Sequence, residues 1–152
     1  INVQGDLPTL DPKIIRACLE PLKTDGVDIS TLVTEITDEE EKTNPNVVKA
    51  VLGIKAGQSI GRALYFSRAT IPTGDGPLYH HIGLYAYRAS FLRDFATWRP
   101  TPLEQFERLE QLRALEHDRL IQVDVALESI PPGVDTEQDL ALVRQHLEQS
   151  GV

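Results

Sequence analysis

Strand-like and helix-like segments alternate along the chain with no internal repeat or low-complexity tract, and that alternation confines it to the α/β class. The opening Ile1-Asn2-Val3-Gln4-Gly5-Asp6-Leu7-Pro8 reads as a buried strand that ends on a glycine and a carboxylate. A soluble domain seldom starts, without a methionine, on the last residues of a core strand, so a segment upstream of Ile1 is expected. Asp11 is placed to cap a helix with Pro12 in its first turn, where a missing N–H costs nothing; the helix is expected to run to about Leu22. Ile29 to Thr34 is β-branched and strand-like, and the acidic run Asp38 to Glu41 reads as a solvated short helix or loop. Asn44-Pro45-Asn46 signals a turn into an apolar strand, Val47 to Leu52, after which Gly53, Gly57 and Gly61 mark a hairpin-like return into Ala63 to Phe66. Pro72 to Pro77 is expected to be a mobile loop, His81 to Tyr87 a strand and Ser90 to about Thr97 a helix.

Thr101-Pro102-Leu103-Glu104 matches a capping box with proline at the first helical position. Leu103, Phe106, Leu109, Leu112 and Leu115 follow at steps of three. A helix turns every 3.6 residues, so this stripe walks around the axis and predicts contacts on more than one side, or a break. Ile121 to Val125 is a further strand, and Thr136 to about Gln149 a closing helix with Leu140, Val143 and Leu147 on one face. The expected architecture is a largely parallel sheet flanked by helices.

A length of 152 residues suits one domain, or most of one, and 41% apolar with 25% charged residues is ordinary globular usage. Fifteen basic against twenty-three acidic residues give a net charge of −8, which argues against nucleic acid held on a basic face. A phosphate-bearing small molecule remains compatible if a divalent cation neutralises it locally. No run approaches the length needed to cross a bilayer, and no leader-like segment opens the sequence as given, so no membrane insertion is expected. Cys18 is the single cysteine, which excludes an internal disulfide and fits a cytoplasmic protein.

Several residues carry chemistry, each with a plain structural reading beside the functional one. Gln4-Gly5-Asp6 sits at the carboxyl end of a strand, where open α/β sheets bind ligands, and Asp6 either binds Mg²⁺ or caps a turn. Asp135 either joins it or serves as a helix N-cap, with Gln138 three residues on. Arg68, after the strand ending at Phe66, is either a surface cation or a bidentate anchor for a carboxylate or phosphate. Of His80 and His81 at most one faces a given site, since neighbouring strand residues point to opposite faces. Tyr85 and Tyr87 share the face of His81, which either packs in the core or lines a ligand. Glu110 either pairs with Arg113 or faces water, or it lies with Gln111 in a site. There is no Walker loop, nucleophile elbow, dinucleotide fingerprint or zinc spacing.

Asn2-Val3-Gln4-Gly5-Asp6, Asn44-Pro45-Asn46-Val47-Val48-Lys49, Tyr65-Phe66-Ser67-Arg68-Ala69-Thr70-Ile71-Pro72, His81-Ile82-Gly83-Leu84-Tyr85-Ala86-Tyr87-Arg88, Pro102-Leu103-Glu104, Leu109-Glu110-Gln111-Leu112-Arg113 and Gly133-Val134-Asp135-Thr136 occur in one family's order. On these residues the chain resembles the 3-deoxy-manno-octulosonate cytidylyltransferases, or CMP-Kdo synthetases, over nearly its full length. The resemblance implies a Rossmann-like nucleotide-diphospho-sugar transferase fold. It also implies a homodimeric enzyme of lipopolysaccharide biosynthesis that joins CTP and Kdo into CMP-Kdo and pyrophosphate, with Mg²⁺ offsetting phosphate charge. It makes Asp6 and Asp135 the metal-binding, catalytic aspartates and puts Gln4 beside the substrates. Arg68, His81, Tyr85, Glu110 and Gln111 then line the sugar pocket, with Arg68 on the Kdo carboxylate.

Two departures bear on that expectation. Leu7 stands where the family usually has an acidic residue, and the family's N-terminal portion, with the basic loop that holds the CTP triphosphate, has no counterpart in the sequence. Residues 1–152 are therefore expected to be the C-terminal, sugar-binding and metal-binding part of a single cytidylyltransferase domain. The alternatives are a CMP-sialic acid synthetase or other sugar nucleotidyltransferase, and a truncated noncatalytic binding or dimerisation module.

Overall fold

The computed structural model describes residues 1–3 and 10–126, together with helical positions at 137, 140–141 and 143–145. Asp11 caps the first helix as its sequence predicts, accepting from Lys13 N–H at 2.7 Å. Helix α1, Pro12–Ala17, is shorter than expected, and a 3₁₀ turn, Glu20–Lys23, follows it. Pro21 explains the break, because it has no N–H for the carbonyl of Ala17 and its ring crowds the preceding turn. Strand β1 is Ile29–Glu35, α2 is Glu39–Thr43 with Asp38 as its cap, β2 is Lys49–Gly53, and β3 is Ile60–Ser67. Strand β4, Tyr79–Tyr87, leads into α3, Ala89–Phe95; α4 is Pro102–Glu107, α5 Gln111–Glu116 and β5 Ile121–Val125. No regular element occupies the Pro72 to Pro77 loop. The expected closing helix is helical at its described positions, and the rest of that segment lies outside the described residues.

The strands form a closed barrel in the order β1-β4-β2-β3-β5. The expectation of a largely parallel sheet is corrected here: among the described strands only β1 with β5 pairs parallel, while β1–β4, β2–β3, β2–β4 and β3–β5 are antiparallel. Connection length is the physical reason. Parallel neighbours need a long crossover, whereas a short glycine-bearing loop joins β2 to β3 and forces them antiparallel. The one parallel pair is also the pair most distant in sequence.

Glycine matters at one tight point of this barrel. A Cβ on Gly61 would lie 2.9 Å from the Gly53 carbonyl oxygen and 3.0 Å from Ile54 Cβ, both fixed by the β2–β3 return. Gly61→Ala is therefore expected to cost about 1–3 kcal/mol of stability, read as a lower urea midpoint at unchanged slope. An unshifted midpoint would mean that the return relaxes freely.

The core has two faces. Ile29, Val33, Ala50, Ala63, Phe66, Ile121 and Val123 meet Phe91 of α3 and Leu112 and Ala114 of α5 on one side of the sheet. On the other, Leu32, Ile82, Leu84 and Ala86 pack with Ile14 and Cys18. Burial of Cys18 pushes its thiol up to about 11, so it behaves as a packing group rather than a nucleophile.

The three-step leucine stripe resolves as a break. Helix α4 ends at Arg108, which takes a left-handed conformation with φ 56°, and α5 begins three residues later. Leu109 and Leu112 are buried behind the break, while Phe106 ahead of it is 80% exposed. Glu104 makes its half of the capping box, accepting from Thr101 N–H at 3.1 Å, and also holds Arg113 through two bonds of 2.5 and 2.8 Å. Arg113 in turn lies 4.5 Å above the ring of Phe95. These contacts fix the α4–α5 corner against α3.

Candidate functional site

Strand β4 meets β2 over two residue pairs, Lys49 with His80 and Ala50 with Tyr79, and beyond them Asn2 bridges to Tyr85. Against this stretch of β4 lies a cavity of about 580 Å³, within the range of small-molecule sites. Its wall takes His81, Gly83, Tyr85 and Tyr87 from β4, Asn46 and Val48 from the turn before β2, Arg68 from the end of β3, and Arg108 to Gln111 from the α4–α5 corner. The five residues expected to line a sugar pocket, Arg68, His81, Tyr85, Glu110 and Gln111, are thus brought together from three separate segments. Gln4, Asp6 and Asp135 lie outside the described residues.

A register shift helps to shape the wall. Thr31 of β1 faces Tyr85 and Leu32 faces Ile82, so Gly83 and Leu84 are extra residues on β4. His81, Tyr85 and Tyr87 still share one face, with ring centroids 5.3 Å apart between the first two and 5.7 Å between the tyrosines. Burial raises the hydroxyl pKa of both Tyr85 and Tyr87, so both remain neutral.

His81 is 7% exposed, and burial, with a smaller push from His80, lowers it to about 3. It is a neutral imidazole at any working pH. Its Nε2 lies 3.0 Å from Thr31 Oγ1, and that hydroxyl has one proton and two carbonyl acceptors in reach, Leu84 at 2.8 Å and Ile82 at 3.1 Å. The network is satisfied when the hydroxyl donates to a carbonyl and Nε2 carries the hydrogen and donates to Thr31. This assignment from the network leaves Nδ1 as an acceptor for a ligand hydroxyl.

Arg68 is held rather than loose. Its Nε donates to the Glu107 carbonyl and its Nη1 to the Pro45 carbonyl, each at 3.1 Å. A guanidinium has five N–H groups, so three have no partner among the described residues, all on the Nη1–Nη2 end, which is the edge that grips a carboxylate end-on. No carboxylate lies within ion-pair distance of it among the described residues. Arg108 lines the wall as well, so the lining carries two arginines against one carboxylate, Glu110, in a protein that is acidic overall.

Gln111 is 7% exposed, and its Nε2 has no hydrogen-bond partner among the described residues. A buried orphan donor costs about 1–3 kcal/mol, which a ligand oxygen would relieve. Glu110 does reach Arg113, at 3.4 Å, but its side chain is 69% exposed and the main partner of Arg113 is Glu104. Its pairing role is weak, and its carboxylate is available to the cavity. Asn46 and Arg108 line the wall too and were not expected from sequence. Asn46 had a signal, since it stands in the Asn44-Pro45-Asn46 turn that the resemblance already singled out.

The cytidylyltransferase family model matches residues 1–121. This chain belongs to the cytidylyltransferase family. The cytidylyltransferase chain is 61% identical over 145 residues to the 3-deoxy-manno-octulosonate cytidylyltransferase of Paramagnetospirillum magneticum, covering 95% of this chain and 58% of that one. It is 58% identical over 151 residues to the enzyme of the same name from Brucella ovis, covering 99% and 60%. Its fold is similar, with TM-score 0.85 and 32% identity, to a solved CMP:2-keto-3-deoxy-manno-octonic acid synthetase complexed with CTP, over 98% of this chain and 61% of that one. The chain thus spans about three-fifths of the length of these relatives. No helix among its described residues is long and apolar enough to cross a membrane.

Proposed function

We propose that this cytidylyltransferase chain serves the activation of Kdo by CTP, giving CMP-Kdo and pyrophosphate for lipopolysaccharide biosynthesis. One observation carries the proposal: Arg68, His81, Tyr85, Glu110 and Gln111 line one cavity whose chemistry is complementary to a polyhydroxylated acid. Three free N–H groups of Arg68 suit the carboxylate. The orphan amide of Gln111, the acceptor Nδ1 of His81, the hydroxyl of Tyr85 and the carboxylate of Glu110 suit the ring hydroxyls. The likeness to relatives named for this reaction supports the same substrate pair.

In the reaction, the anomeric hydroxyl of Kdo attacks the α-phosphorus of CTP; a C–O–P bond forms, pyrophosphate leaves and the hydroxyl proton is released. Holding the sugar in one orientation in this cavity would present that oxygen to the α-phosphorus, and positioning of this kind supplies much of the rate. Asp6 and Asp135 would hold Mg²⁺, and a pair of carboxylates is a donor set that this hard cation accepts together with phosphate oxygens and water. Bound there, Mg²⁺ neutralises triphosphate charge. Gln4 would stand beside both substrates. Among the described residues there is no group of three or more potential metal-ligating side chains, and Asp6 and Asp135 lie outside them.

The same reading makes residues 1–152 the sugar-binding and metal-binding part of one domain, in a cytoplasmic homodimer whose complete sheet is Rossmann-like. CTP turnover by the chain joined to the family's N-terminal segment, measured with Kdo and, separately, with N-acetylneuraminic acid, tests it. Turnover with Kdo and none with the sialic acid is expected. Sialate use without Kdo use would overturn the substrate assignment, and Kdo binding without turnover would leave a binding module.

A further inference from the structure

We propose that Glu107 is a positioning residue that sets the guanidinium of Arg68 for the sugar carboxylate; this rests on the function proposed above. By sequence Glu107 is an unremarkable acid between an exposed phenylalanine and an arginine. In the structure its carboxylate collects three donors from the end of β3. Oε1 accepts from Ser67 Oγ at 2.8 Å and from the Tyr65 hydroxyl at 3.3 Å, and Oε2 accepts from Arg68 N–H at 3.1 Å. The fourth link runs the other way, from Arg68 Nε to the Glu107 carbonyl.

This arrangement joins the two sides of the cavity. Glu107 is the last residue of α4, and the left-handed turn at Arg108 directly after it carries the chain to Glu110 and Gln111. Ser67 relays the contact, since its hydroxyl donates to Glu107 and accepts from Ala69 N–H at 3.0 Å. Glu107 therefore fixes both the backbone of Arg68 and the carbonyl that occupies its Nε. With Nε occupied, only the Nη1–Nη2 edge faces a ligand, and the approach direction of the carboxylate is set. No described cation neutralises Glu107, so neutral donors hold it in place and Arg68 keeps its charge for the ligand.

A double-mutant cycle in the full chain tests the idea, with KM for Kdo, KM for CTP and kcat as readouts. Glu107→Ala is expected to raise KM for Kdo about tenfold, with KM for CTP and kcat changed less than about threefold. Glu107→Gln, which keeps one acceptor oxygen for Arg68 N–H, is expected to recover most of that loss and guards against a variant that fails to fold. In an Arg68→Ala background, Glu107→Ala should add less than about twofold, because the group it positions is gone. A full, additive tenfold effect in that background would overturn the inference and leave Glu107 a purely structural residue. An Arg68→Ala variant with wild-type KM for Kdo would instead overturn the functional reading on which the inference stands.

Discussion

Arg68→Ala is expected to raise KM for Kdo about 100-fold, while KM for CTP stays within about twofold. The magnitude comes from losing a charge-assisted, bidentate contact inside a partly enclosed cavity, which is worth about 2–5 kcal/mol when one partner is truncated. Two backbone carbonyls already restrain the side chain, so little rotamer freedom has to be frozen on binding. Arg68→Lys separates charge from shape: lysine keeps the positive charge but cannot hold both carbonyls and present a fork, so a loss of about tenfold is expected. Steady-state kinetics of the chain joined to the family's N-terminal segment, with Kdo varied at saturating CTP, reads both. Equal losses for both substrates would point to a damaged fold rather than a lost anchor.

The second large effect is on stability against acid. His81 is expected to titrate near 6.5 in the unfolded chain and is held at about 3 in the folded one. Between those values the unfolded state binds the extra proton, so acid favours unfolding and stability rises with pH across the window. The contribution is present above about pH 6.5 and is lost as pH falls toward 3. From pH 7 to pH 4 the loss is roughly 3 kcal/mol for this one ring. His80 is also lowered, by burial first and by Lys49 as well, and adds in the same direction. Urea unfolding of the wild type and of His81→Asn at several pH values isolates the ring. The gap between the two curves should narrow steadily toward pH 4, and parallel curves would show that the imidazole is not desolvated.

The residues that were legible in sequence acted locally. Asp11 caps α1 through its side chain and Glu104 reaches back to Thr101 N–H at the start of α4, because such contacts close within three residues. The leucine stripe was legible as a fault in helical phase, and the left-handed Arg108 is that fault. What could not be read was pairing. Nothing in β1 states that it will run parallel to β5 and antiparallel to β4, because strand partners are chosen by the packing of distant segments.

The candidate site divides in the same way. Arg68, His81, Tyr85, Glu110 and Gln111 were named through family resemblance, and in the structure they line one cavity. Glu107 was not accessible, since its meaning lies in three donors forty or so positions away and an acid on a short amphipathic helix normally faces water. Lys49 is a similar case: it is fully buried although charged residues rarely are, with Nζ donating to the Asn44 carbonyl at 2.6 Å. It braces the turn that carries Asn46 into the cavity.

The parallel pairing of β1 with β5 has a consequence for the order in which the protein is made. Ile29 must find Ile121, ninety-two positions later, and loop closure over that span is slow compared with forming the β2–β3 hairpin. On the ribosome, every described cavity residue from Asn2 to Gln111 emerges before the strand that closes the barrel. The nascent chain therefore carries every described cavity residue before β5 is available, and Ile121 and Val123 complete the core behind Tyr85, Leu109 and Leu112 only once that last strand has been made.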